Sequence, residues 1–359
     1  MGRWPSRVAF ASLGARGAWQ PRSCCTAELF NLGQEQCRRF RPAGYTVISG
    51  SWPLNFVADC RATATALSFD EEQHVKVTVM RIGLSMPLPA YTIDPAFMGR
   101  TAERLGFDSI WYAEHPAVPV ESASPFPATG GAIPWTYSHF TDPYIALARA
   151  SGVTTTLKLA TGITLVPQRN PLLLAKEIAA LDHHSGGRFI LGVGTGWLKE
   201  EVEIFGGNFA RRWTQTREAL DVMKALWSQD AAEFHGEFFD FPPVRSYPKP
   251  AQKPHPPIVL GGAAKNVLRR VIDHADGWLP NRITPADLER ARKELDRLAV
   301  DAGRDPNLIT ITVYGQVPTK DVVRPLFDSG ADRVVVRAEH VETEAEMGAQ
   351  LEQIAEAVL

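Results

Sequence analysis

Two adjacent side chains stand out as able to handle a proton. Glu114 and His115 close the apolar stretch Ser109–Ala113. Imidazole titrates near neutral pH, so a histidine at the open end of a strand can act as general acid or base. No other acid–His pair at a strand end is as free of an ion-pair partner suggested by the sequence. The pair therefore predicts catalytic roles for His115 and Glu114; a hydrogen-bonded loop histidine is the alternative. Asp182, His183 and His184 cluster more densely, but consecutive residues on a helix point about 100° apart, and no metal is expected there. The chain carries no Gly-x-Ser-x-Gly, His-Glu-x-x-His or Walker lysine pattern, and no cysteine beyond Cys60.

Glycines give the second signal. The run Gly192-Val193-Gly194-Thr195-Gly196-Trp197 looks like a dinucleotide fingerprint, but Trp197 occupies the third glycine position. Glycine also lets backbone approach a flat ligand and leaves its amides open. Gly261-Gly262, just before a predicted helix, suits a phosphate on a helix N-terminus. A tight turn explains either cluster alone; both at strand ends point to a phosphate-bearing ligand.

These residues act together only if a scaffold gathers the strand ends. From Met80 onward, apolar strands alternate with amphipathic helices, the pattern of a parallel sheet. Strands are predicted at Ile82–Pro87, Ser109–Ala113, Leu157–Thr164, Phe189–Val193, Ile258–Leu260, Gly277–Leu279, Ile309–Tyr314 and Val334–Val336. The clearest helix, Pro171–His184, starts behind Asn170 and ends at Ser185-Gly186-Gly187. Its Leu172, Leu173, Ala175, Ile178, Ala179 and Leu181 predict a buried face. Eight strand–helix units match an α/β protein of the (β/α)8 TIM-barrel class, for which about 250 residues is typical. A doubly wound open sheet is the alternative. Two connections are long, Pro116–Asp142 after the second strand and Ser228–Pro257 before the fifth. Both are rich in proline and aromatic residues and are expected to wall the mouth.

The 359 residues carry a net charge of −2, with 45% hydrophobic and 22% charged residues. That balance suits a soluble globular enzyme and gives no electrostatic reason for nucleic acid or a membrane as partner. No uncharged apolar run reaches the roughly 18–20 residues that span a bilayer, and a cytoplasmic location is expected. Residues 1–79 differ from the rest: nine basic residues stand against six acidic ones, and all four cysteines lie there. They are expected to be an N-terminal extension, disordered or produced by a start codon assigned too far upstream, with the barrel occupying 80–359. A secretory signal fits poorly, because the apolar run Val8–Ala15 is short and Arg16 closes it.

Several segments in order resemble the luciferase-like monooxygenase superfamily. They are Leu159-Ala160-Thr161-Gly162-Ile163-Thr164, Asn170-Pro171 through His184-Ser185-Gly186-Gly187-Arg188, Leu191 through Trp197, Tyr247-Pro248-Lys249-Pro250, Ile258 through Gly262, and Ala275-Asp276-Gly277-Trp278. Within it the chain is most similar to the branch that uses the deazaflavin coenzyme F-420; FMN is the alternative cofactor. The resemblance implies a cofactor ring across the barrel mouth. It implies that Glu114 contacts the cofactor, that His115 moves the proton, and that a cis peptide at Gly162–Ile163 backs the ring. Backbone at Thr195 and Gly196 would hold the cofactor, as would Gly261, Gly262 and Ala263 near its phosphate. Leu165 and Glu200 match further cofactor-lining positions. In the superfamily's sugar-phosphate dehydrogenases a catalytic glutamate stands where this chain has Trp197, and their phosphate-clamping lysine and arginine have no counterpart that can be placed here. Trp197 therefore predicts a pocket for an apolar or planar substrate. The resemblance implies hydride transfer between coenzyme F-420 and a small organic substrate, in a homodimer. An FMN-dependent two-component monooxygenase and a non-catalytic flavin- or deazaflavin-binding protein are the alternatives.

Overall fold

The computed structural model describes residues 80–359. The expected extension over residues 1–79 lies outside the described residues. Local chemistry sets the helix starts. Asp94 accepts a hydrogen bond from the Ala96 N–H and Pro95 opens α1 (Pro95–Leu105). Asp142 and Pro143 do the same for α2 (Pro143–Ser151), and Asn170 and Pro171 for α3 (Pro171–His184). An N-cap oxygen satisfies N–H groups that have no intrahelical partner, and proline has no N–H to lose there.

The strands in chain order are β1 (Ile82–Ser85), β2 (Ser109–Tyr112), β3 (Lys158–Thr161), β4 (Thr164–Leu165), β5 (Phe189–Gly194), β6 (Ala232–His235), β7 (Asp240–Val244), β8 (Ile258–Gly261), β9 (Gly277–Leu279), β10 (Thr310–Gln316) and β11 (Arg333–Arg337). All but β6 and β7 run in the order β3-β2-β1-β11-β10-β9-β8-β5-β4, and a β3–β5 pairing closes the ring. Every pairing in that ring is parallel. The third predicted strand is one barrel position broken in two, since β3 and β4 flank Gly162–Ile163. The result is the eight-position barrel expected. The other helices are α4 (Lys199–Ile204), α5 (Arg212–Ser228), α6 (Val267–His274), α7 (Pro285–Asp301), α8 (Lys320–Asp328) and α9 (Glu344–Val358).

Strand alternation separates two apolar regions. Ile82, Leu84, Ile110, Leu159, Leu191 and Val334 face outward under the helices, in the main core. Trp111, Ala160, Ile190, Val259, Leu279 and Val335 fill the barrel interior, with Ile163 and Tyr314 against them. Gly83 makes room for this filling: a Cβ there would lie 2.8 Å from Trp111 Nε1. No described helix is long and apolar enough to cross a membrane.

Three expectations need correction. Leu173 points to solvent at 66% exposure, and Leu174 takes its place in the core. The helix predicted just after Gly261-Gly262 starts only at Val267, after a turn through Gly262–Asn266. Ser228–Pro257 is not a wall of the mouth. It forms an antiparallel hairpin, β6–β7, whose Phe234 and Phe241 rings stack 6.5 Å apart. This segment leads from a helix into a strand, so it leaves from the end of the barrel opposite the mouth.

Candidate functional site

One cavity of about 570 Å³ opens at the C-terminal strand ends. Its lining includes Glu114, His115, Gly162, Ile163, Leu165, Thr195, Gly196, Trp197, Gly261, Gly262 and Ala263. The structure thus gathers every expected site residue except Glu200.

The cavity floor is set by the interrupted strand. The Gly162–Ile163 peptide is cis, and Ile163 packs over the opening of the barrel. Gly162 lies under the Tyr314 ring, where a Cβ would come within 2.5 Å of the ring carbon Cε2. A Cβ at Gly192 would stand 1.9 Å from the Thr161 carbonyl oxygen, and one at Gly194 would stand 2.0 Å from Ile163 Cδ1. These two glycines therefore admit the chain's own Thr161 and Ile163, not a ligand, which corrects the reading of that cluster. Gly196 adopts φ 78°, a left-handed conformation that favours glycine, and it turns the chain along the cavity edge.

His115 sits at the other side of the mouth with its side chain 7% exposed. Its Nδ1 bonds Glu201 Oε2 at 2.7 Å. A carboxylate only accepts, so Nδ1 carries the hydrogen and Nε2 is the nitrogen left for exchange with a ligand. Glu201 is fully buried; its carboxylate also accepts from Gln168 Nε2 at 3.2 Å and from the Ala117 N–H at 3.4 Å. Around His115 stand Tyr137 at 5.3 Å, Phe140 at 5.2 Å and Trp197 at 5.7 Å between ring centroids. Phe126 packs edge-on against both Tyr137 and Trp197. Tyr137, Phe140 and Phe126 come from the connection after β2, so this long segment walls the mouth as expected.

Glu114 is not the unpaired acid that its sequence context suggested. Its carboxylate is 2% exposed and forms an ion pair with Arg169. Arg169 Nε donates to Oε1 at 2.6 Å, and the Leu165 N–H donates to Oε2 at 2.8 Å. Burial pushes the Glu114 carboxyl above its ordinary range, against the pull of Arg169. The guanidinium and the backbone N–H on its two oxygens favour the charged form against that burial. Arg169 also reaches Asp142 at 2.8 Å and Glu177 at 3.3 Å. Glu114 thus ties the end of β2 to β4 and to the starts of α2 and α3.

Glu200 does not line the cavity, which corrects its expected role at the cofactor. It accepts from Ser124 Oγ at 2.7 Å, Ala123 N at 2.9 Å and Ser122 Oγ at 3.1 Å. The Ser124 hydroxyl is the largest influence drawing its carboxyl down to about 2. The physical reason is helical geometry: neighbours on α4 diverge by about 100°, so Glu201 turns inward to His115 while Glu200 turns outward to the loop. Sequence reasoning missed Glu201 because α4 is one and a half turns long and carries no apolar stripe to orient it.

The run Asp182-His183-His184 lies at the end of α3. There Asp182 is buried and accepts from the Gln252 N–H at 2.9 Å and Gln252 Nε2 at 2.7 Å, while both histidines are exposed. The run caps a helix and fixes the neighbouring loop.

Comparison with known proteins follows the same lines. A family model described as luciferase-like monooxygenase matches residues 97–322. An uncharacterised protein of Mycobacterium tuberculosis is 39% identical over 249 residues, 67% of this chain and 86% of its own. An FMNH(2)-dependent dimethylsulfone monooxygenase of Pseudomonas putida is 31% identical over 158 residues, 42% of each chain. Among solved structures, the coenzyme F-420-dependent tetrahydromethanopterin reductase of Methanopyrus kandleri aligns with a TM-score of 0.61 at 18% identity, covering 78% of this chain and 98% of that one. That last likeness establishes the barrel fold.

Proposed function

Because the chain belongs to the luciferase-like monooxygenase family, whose members are oxidoreductases and monooxygenases, we propose that it is an oxidoreductase that transfers a hydride between coenzyme F-420 and a small apolar or planar organic substrate. The observation that carries this reading is the His115–Glu201 pair, aimed at an aromatic-walled cavity of about 570 Å³. That volume falls within the roughly 300–1,000 Å³ of small-molecule and cofactor sites.

The residues present fit a flat cofactor. Ile163, Val193, Leu260 and Leu279 give an apolar floor. Gly262 and Ala263 are exposed at the edge, with open space where a Gly262 side chain would be. The ring would lie over Ile163 beside Leu165, held by backbone at Thr195 and Gly196, with its phosphate at Gly261–Ala263. The cofactor supplies the hydride; the protein orients it and manages the proton. Glu201 holds the His115 imidazole so that Nε2 gives or takes the proton that accompanies hydride transfer. Trp197, Tyr137 and Phe140 keep water from that nitrogen and offer flat apolar contacts to the substrate. Glu114 acts as a positioning residue, through Arg169 and Leu165.

The Pseudomonas putida relative supports a second reading, an FMN-dependent monooxygenase. Oxygen uptake separates the two. In air, wild-type protein should oxidise reduced coenzyme F-420 only when a ketone, enone or quinone acceptor is added, with no substrate-dependent oxygen consumption. Oxygen uptake with reduced FMN and no turnover of reduced F-420 across the acceptor panel would overturn the hydride reading.

A further inference from the structure

The cavity holds two positive charges that the proton chemistry does not use. Arg212, at the start of α5, and Arg270, on α6, both line it beside Gly261–Ala264. Each guanidinium lies over an aromatic ring: Arg212 is 4.0 Å from the Phe209 centroid and Arg270 is 4.2 Å from that of Trp213. Trp213 itself lines the cavity. Neither arginine has a carboxylate partner among the described residues. Arg212 donates one bond, to the Phe209 carbonyl at 2.7 Å. The Nε atoms of both are buried without a hydrogen-bond partner. Burial, together with the charge of Arg212, draws the Arg270 guanidinium below its ordinary value.

Two unneutralised guanidinium groups that repel each other at the edge of a cavity are costly unless an anion joins them. Contact with the Phe209 and Trp213 rings positions both groups and leaves their remaining N–H groups as free donors at that end. Planar guanidinium groups are suited to gripping phosphate through paired hydrogen bonds.

We infer that Arg212 and Arg270 form an anion clamp at the Gly261–Ala264 edge of the cavity, so that tight binding there requires a phosphate-bearing ligand. This rests on the reading of the cavity as a cofactor site, and it adds a charge requirement that backbone amides alone would not impose. The shared chemistry is a phosphate group, whether the monoester of FMN or the diester of coenzyme F-420.

The test compares ligands with and without the phosphate; FMN and riboflavin differ in that group alone. Fluorescence titrations of the full chain use FMN against riboflavin, and coenzyme F-420 against its phosphate-free chromophore. Wild-type protein should prefer at least one phosphorylated member by about 100-fold or more. In Arg212→Gln/Arg270→Gln that preference should shrink to within a few-fold, while affinity for the phosphate-free ring stays unchanged. Arg212→Lys/Arg270→Lys keeps the charge and should retain part of the preference, which separates charge from lost ring contact. Inorganic pyrophosphate gives an arm with no ring: it should raise the melting temperature of wild type and not of the glutamine variant. Equal wild-type affinity for phosphorylated and phosphate-free rings overturns the clamp and leaves the cofactor reading standing. If no ring binds, the cofactor reading falls, and the clamp stands or falls on the pyrophosphate arm.

Discussion

Replacing Arg169 by methionine would leave the buried Glu114 carboxyl at the barrel mouth without its partner. Methionine keeps most of the length and apolar stem of arginine but none of its charge. Glu114 is 2% exposed and Arg169 18% exposed, so water replaces little of what is lost. Two unit charges about 4 Å apart attract by about 4 kcal/mol at an effective dielectric near 20, and removing one partner of a buried pair costs about 3–5 kcal/mol. Asp142 and Glu177 also lose a contact, but they are 43% and 46% exposed and contribute little. The expected cost is therefore about 3–4 kcal/mol at pH 7, or about 6–8 °C in Tm at about 2 °C per kcal/mol. Without Arg169, burial lifts the Glu114 carboxyl further above its unfolded value, so the folded state binds the proton more readily. The penalty is then full above the folded pKa and fades as pH falls towards the unfolded value of 4.5. Urea unfolding at pH 7 and pH 5 measures both effects. Glu114→Gln on top of Arg169→Met should recover at least half of the loss. A cost below about 1 kcal/mol, the range of surface pairs, or no recovery in the double variant, would refute the reasoning.

His115→Asn should keep cofactor affinity and lose about 10²–10⁴-fold in turnover, the usual contribution of a general acid or base; unchanged turnover would return His115 to a loop role. Glu201→Gln should slow turnover by about 10–100-fold through the loss of a charge-assisted hydrogen bond, and the His115→Asn/Glu201→Gln pair should be no slower than His115→Asn, as steady-state rates would reveal. Glu200 is held low, at about 2, so its grip on Ser122–Ser124 is full above its ordinary 4.5 and weakens as pH falls below that; hydrogen exchange over residues 116–142 should quicken in that window, and Glu200→Gln should quicken it at pH 7. A chain starting at Met80 should fold and bind cofactor as the full chain does, checked by melting temperature and titration.

The barrel was legible because its signals are local. Asp-Pro and Asn-Pro helix starts, strand-length apolar runs and their alternation placed the strands within a few residues. His115 was legible for a related reason, since it follows directly on an apolar strand. What escaped was set by contacts distant in sequence. Glu201 meets His115 across 86 positions and Arg169 meets Glu114 across 55, and neither partnership leaves a periodic mark. In the sequence the glycines at 192 and 194 look like room for a ligand, because a sequence does not reveal that Thr161 and Ile163 fill that room. Arg212 and Arg270 lie on two different helices, so their meeting at one cavity edge became visible only with the strand order.

The central claim is tested most directly by titrating the purified chain in parallel with coenzyme F-420 and FMN, following ligand fluorescence. Binding of coenzyme F-420 at least about tenfold tighter than FMN, a difference of about 1.4 kcal/mol, is the predicted result. Tighter binding of FMN by the same margin would contradict it and transfer the cavity to flavin chemistry.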